Sequence, residues 1–86
     1  MRIQFTKKFK KKSVKLTQSQ QKQLEKRLRL FLENPKNSLL NNHKLHGKFS
    51  EYRSINITGN IRAVYKIKNE KIFIFYTIGS HSELYS

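Results

Sequence analysis

The segment from Lys71 to Ile78 constrains the fold more than any other part of the chain. Its alternation places Ile72, Ile74 and Ile78 on one face of a strand and Phe73 and Phe75 on the other. A strand that is apolar on both faces belongs inside a sheet, with both surfaces covered. Two further strand patterns, Glu51 to Thr58 and Ile61 to Lys68, flank Gly59-Asn60, a two-residue hairpin signal, and Asn69-Glu70 separates the second pattern from the third. Upstream, Ile3 and Phe5 alternate with Arg2 and Gln4 as a short first strand. Thr6 then caps a helical stretch with Phe5, Phe9 and Leu16 inward and Lys7, Lys8, Lys10, Lys11 and Lys12 outward. Thr17 and Gln20 have capping-box spacing, and Leu24, Leu28, Phe31 and Leu32 recur at helical intervals until Asn34-Pro35 stops the run. Residues 35–50 show no clean period, and Leu39, Leu40 and Leu45 are the anchors available to pin them. This order predicts an α+β fold: an N-terminal strand and two helices packed on one side of a mainly antiparallel sheet of about four strands.

With 86 residues the chain has room for a single domain, residues 1–86. A chain this short buries about 60 to 65 per cent of its unfolded surface, which excludes large cofactor cavities and barrels. The 12% aromatic content is too high for a disordered basic tail. No apolar run approaches the roughly 20 residues that span a bilayer. The start, Met1-Arg2-Ile3-Gln4-Phe5, lacks the apolar stretch of a secretory signal, so a cytoplasmic protein without a membrane partner is expected. With no cysteine there is no disulfide framework and no thiolate zinc site.

Charge narrows the class of partner. The net charge is +14, and residues 1–30 hold eleven Lys or Arg against the single Glu25. Ordinary surfaces mix signs, whereas this one presents a positive field suited to a phosphate polymer or an acidic protein.

Two sets of residues could carry chemistry on such a partner. A two-residue turn at Gly59-Asn60 sets Arg53 opposite Lys66 with Arg62 on the same face, three cations that an anion would hold together; a three-residue turn instead sets Asn56 beside Arg62. His43 and His46 lie before the strands and His81 just after them. His43 and His46 have no neighbouring carboxylate or thiolate to complete a metal site, so neither metal nor cofactor is expected. Imidazole is suited to proton transfer near neutral pH. Tyr76 and Tyr85 could stack on a base.

Taken together, Asn42-His43-Lys44-Leu45-His46-Gly47, Tyr52-Arg53, Gly59-Asn60-Ile61-Arg62-Ala63-Val64-Tyr65-Lys66-Ile67 and Ile78-Gly79-Ser80-His81-Ser82-Glu83-Leu84-Tyr85 resemble the RelE/ParE toxin superfamily of bacterial type II toxin-antitoxin systems, and within it the YafQ branch. The ordered pattern covers residues 42–85, with the strand and helices upstream matching as a layout. The resemblance implies a RelE-like α+β fold, a metal-independent, ribosome-associated endoribonuclease that cleaves messenger RNA by 2′-OH attack and inhibits translation, and a cognate antitoxin as partner. It implies that His43, His81, Arg62 and Tyr85 are catalytic, with Arg62 on the phosphate; proton-transfer chemistry then assigns His43 as base and His81 as acid, or the reverse. Arg53, Lys66, Lys44, Lys48 and Tyr76 would bind substrate. The chain departs from the YafQ pattern at Asn56, Asn60 and Thr77, where YafQ-like toxins carry histidine, aspartate and arginine. A ParE-like toxin that inhibits DNA gyrase without catalysis, and a basic RNA-binding module, are the alternatives.

Overall fold

The structure, a computed structural model, describes residues 2–85, with side chains as far as Leu84. Strand β1 (Arg2–Phe5) leads into helices α1 (Lys7–Ser13) and α2 (Gln18–Glu33). After a 3-10 turn at Ser38–Leu40 come β2 (His43–Lys44), a second 3-10 turn at Gly47–Phe49, and β3 (Arg53–Asn56), β4 (Ile61–Lys68), β5 (Ile72–Ser80) and α3 (His81–Tyr85). The sheet order is β1-β5-β4-β3-β2, antiparallel except where β1 lies parallel to β5.

Both helix starts follow from their capping side chains. The Thr6 hydroxyl accepts from the Phe9 amide at 3.1 Å, and Thr17 and Gln20 form a reciprocal capping box. The helices bury Phe9, Leu24 and Phe31 against one face of the sheet, where they join Ile55, Ile57, Ile61, Ala63, Tyr65, Phe73, Phe75 and Ile78. Phe31 is fully buried at the centre, its ring edge-on to Tyr65, Phe73 and Phe75 with centroids 5.0, 4.7 and 5.4 Å away. Leu32, expected in this stripe, is turned to solvent and 52% exposed.

The sheet differs from expectation in four respects. It has a fifth strand, because His43 and Lys44 pair with Ser54 and Arg53; two residues are too few to show a period. Leu40 does anchor this loop, fully buried in the core, whereas Leu45 is half-buried and Leu39 is exposed and held by its carbonyl, which accepts from the Arg27 guanidinium.

The β3–β4 hairpin takes the three-residue register, pairing Asn56 with Arg62 and Arg53 with Tyr65. The Thr58 hydroxyl accepts from the amides of Asn60 and Ile61 at 3.2 and 3.0 Å, which closes the longer turn. Arg53 therefore does not face Lys66.

Ile78 does not share a face with Ile72 and Ile74. Val64 pairs with Thr77 while Tyr65 pairs with Phe75, leaving Tyr76 as the extra residue of a bulge that rotates Ile78 into the core. Finally, β5 is interior as expected but its second surface is not fully covered, for Ile72 and Ile74 remain half-buried.

Candidate active site

The face of the sheet turned away from the core presents alternate residues of each strand: Ser54 and Asn56 on β3, Arg62, Val64 and Lys66 on β4. Across it, His43, Ser54, Val64 and Thr77 form one cross-strand row, and Asn56, Arg62 and Gly79 form the next. His81 follows directly as the first residue of α3. These rows border a cleft of about 400 Å³ lined by Asn41, His43, Leu45, Ser54, Arg62 and His81. Residues up to 40 positions apart in sequence thus share one cavity.

Local structure fixes each group. The turn before β2 ends at Asn41 in the left-handed conformation, φ 44°, which asparagine tolerates better than most residues. That conformation brings the Asn41 carbonyl 2.8 Å from His43 Nδ1. A carbonyl can only accept, so Nδ1 carries the proton and Nε2 presents its lone pair. Arg62 donates through Nη1 to the carbonyls of Thr58 and Ile61 at 2.9 and 3.3 Å. Carbonyl partners orient the guanidinium and leave its charge uncompensated.

His81 is held from the backbone, its amide donating to the Asn60 carbonyl at 3.1 Å. Its helix starts on a second reciprocal cap: the Ser80 amide donates to Glu83 Oε1 at 2.9 Å, and the Glu83 amide to the Ser80 hydroxyl at 3.2 Å. The Ser80 amide above all, then the Ser80 side chain, with a smaller pull from Lys12 against slight desolvation, hold the Glu83 carboxyl below the usual carboxylate range.

Three polar atoms beneath this face, Ser54 Oγ, Asn56 Oδ1 and Thr77 Oγ1, are buried without a hydrogen-bond partner. An unsatisfied buried group costs on the order of 1–3 kcal/mol. All three belong to residues on the cleft side of the sheet. Chemically, two imidazoles and a guanidinium bound only to neutral carbonyls around one cleft are groups of the kinds that proton transfer and anion binding use.

The other residues singled out in the sequence lie elsewhere. Arg53 and Lys66 line a separate, larger cleft of about 870 Å³ with Lys44 and Lys68. Arg53 Nε donates to Asn42 Oδ1 at 2.9 Å, and Asn42 also bonds the Tyr65 hydroxyl at 2.8 Å. Burial pushes the Tyr65 phenol up, opposed by Asn42 and by the nearby Arg53 charge. Lys48 lies over the ring of Phe49, 5.4 Å from its centroid, and lines neither cleft. Tyr76 is 41% exposed and packs against Tyr52. The side chain of Tyr85 lies outside the described residues. Asn41, Asn42 and Ser54 were not singled out; the Asn41-Asn42 doublet is a signal for a left-handed turn that could have flagged them. Among the described residues no three His, Asp or Glu converge to hold a metal ion, and no helix is long and apolar enough to cross a membrane.

The fold has close structural counterparts. YafQ from E. coli strain BL21(DE3) superposes with a TM-score of 0.78 at 24% identity, covering 98% of this chain and 97% of that one. The E. coli DinJ-YafQ complex matches with a TM-score of 0.75 at 24% identity, over 98% and 97%. The E. coli RelBE toxin-antitoxin complex matches with a TM-score of 0.68 at 26% identity, over 91% and 93%. No match was found among curated proteins. A family model described as the bacterial toxin of type II toxin-antitoxin system, YafQ, matches residues 1–86. The chain therefore belongs to the YafQ family of bacterial type II toxins.

Proposed function

We propose that this toxin is a metal-independent endoribonuclease that cuts messenger RNA on the ribosome. The observation that carries the reading is the convergence of His43, Arg62 and His81 on one cleft. His43 Nε2 takes the proton of the ribose 2′-OH, whose oxygen attacks the adjacent phosphorus. Arg62 leaves its carbonyl partners to meet the charge that gathers on the phosphorane oxygens. His81 gives its proton to the departing 5′-oxygen, and the products are a 2′,3′-cyclic phosphate and a free 5′-hydroxyl. DNA lacks the attacking hydroxyl and is not a substrate. Asn56, where related toxins carry a histidine, donates no titratable proton, so both transfers fall to the two remaining imidazoles.

The partners follow from the same reading. The E. coli relatives are seen in complexes with DinJ and RelB. A net charge of +14 suits this chain to a cognate antitoxin with an acidic segment and to ribosomal RNA phosphates, which places its action in the cytoplasm.

Mapping messenger RNA 5′ ends after induction tests the proposal. Fresh breaks in translated messages are expected, each bearing a 5′-hydroxyl, and co-expression of the antitoxin abolishes them. His43→Ala or His81→Ala slows cleavage about 10²- to 10⁴-fold with an unchanged circular dichroism spectrum. Intact messages with accumulating double-strand DNA breaks would instead identify a gyrase inhibitor.

A further inference from the structure

We propose that Tyr52 and Tyr76, beside Lys66 at the border of the larger cationic cleft, form a second RNA subsite that stacks a nucleobase away from the scissile phosphate. This rests on the reading of the smaller cleft as a nuclease site, and it adds where the strand runs on leaving it.

Tyr76 is where it is because of the β5 bulge. As the extra residue it pairs with nothing on β4 and its ring stays 41% exposed, while its carbonyl is gripped by the Thr6 hydroxyl at 2.6 Å. The bulge thus aims an aromatic ring outward from an interior strand. There it meets Tyr52, with centroids 5.3 Å apart and planes at 59°. Tyr52 props the Tyr76 ring from one side, and the exposed part of Tyr76 is open to a third flat group. The Lys66 ammonium stands over the Tyr52 ring, 5.6 Å from its centroid.

The surroundings define the ligand. Lys66 also lines the cleft of about 870 Å³, whose walls hold Lys44, Arg53 and Lys68 against one carboxylate, Glu51. An acidic peptide would need the cations alone. Cations interleaved with exposed aromatic faces suit single-stranded nucleic acid, whose phosphates and bases alternate along the chain.

Geometry ties this subsite to the nuclease cleft. Arg62 and Lys66 lie on the same face of β4, four residues and roughly 13 Å apart. That is further than the phosphate-to-phosphate step of one nucleotide, so Arg62 and Lys66 would meet different phosphates of the strand. Stacking reads no hydrogen-bond pattern, so this contact tolerates any base.

The test uses the full chain carrying His81→Ala, so that nothing is cut, and fluorescence anisotropy with a labelled single-stranded oligoribonucleotide. Tyr52→Ala and Tyr76→Ala are each expected to weaken binding roughly tenfold, while Tyr52→Phe and Tyr76→Phe bind as the parent does. An abasic nucleotide moved along the strand should reproduce the loss at one position, and at that position the alanine variants should lose nothing more. Parent-like binding by both alanine variants overturns the proposal, as does equal weakening for intact strands and for strands abasic at every position. Competition by a polyglutamate peptide that the alanine variants also fail to bind would assign the surface to a protein partner. Because cleavage is not measured, failure of the nuclease reading would show separately, as intact messages upon induction of the unsubstituted toxin.

Discussion

Glu83 touches nothing in the cleft, yet the position of His81 depends on it. Its carboxylate accepts from the Ser80 amide and so fixes the first turn of the five-residue helix on which His81 sits. Removing it in Glu83→Ala should free that turn and lower kcat more than tenfold, with RNA affinity within about twofold of the parent, since the substrate contacts proposed above lie elsewhere. Glu83→Gln keeps an accepting oxygen and should retain most of the rate. The same carboxyl gives a pH signature. Because its folded value lies below the ordinary 4.5, it adds stability above that pH and loses it as the pH falls further, through the lowered value. Melting temperature followed from neutral to acid pH should therefore decline less for Glu83→Gln than for the parent. At this scale the sequence was legible where a side chain carries its own chemistry: His43, Arg62 and His81 could be named from residue type and order. Asn41, Asn42 and Ser54 could not, because their work is done by a carbonyl in a left-handed turn, by a bridging amide, and by burial, none of which a residue type announces. Arg53 shows the converse, for its charge was plain from residue type while the bond that ties its Nε to Asn42 beside the larger cleft was not.

Among the elements, helix starts were the most readable feature. Thr6 and the Thr17–Gln20 pair declare them within a few residues, with no help from distant contacts. The hairpin was less readable. Gly59-Asn60 marks a turn, but whether two residues or three form it is decided by the Thr58 hydroxyl capturing two amides. Thr58→Val removes that acceptor without changing size much. It should cost about 1 kcal/mol of stability by denaturant titration and reduce cleavage further than that loss explains, since Arg62 takes its orientation from the Thr58 carbonyl. Thr58→Ser should restore both. The β5 bulge left no trace in the sequence at all. It is a property of the β4–β5 ladder, held at one point by a threonine 70 positions away.

Taken whole, the molecule divides its charge between two sides. Lys7, Lys8, Lys10 and Lys11 of α1 face water on the side where the helices cover the core, and the smaller cleft opens on the other face of the sheet. The larger cleft takes Lys66 and Lys68 from that other face and Arg53 from the β3 end. The excess of cations was plain in the sequence; its partition was not, because it depends on which face of the sheet the helices cover. The division predicts separable effects. Lys8→Glu with Lys11→Glu should weaken co-sedimentation with ribosomes while leaving the affinity for a short RNA strand nearly unchanged, and log affinity for that strand should fall with log salt by about 0.7 per phosphate held. One further consequence lies in the pairing of the first strand with the last. β1 has no partner other than β5, and His81 lies beyond it. A growing polypeptide emerges N-terminus first, so β1 waits for its sheet partner, and the cleft for its last wall, until β5 and His81 have been made. A nascent chain that stops short of β5 and His81 thus carries the basic helices without an assembled cleft.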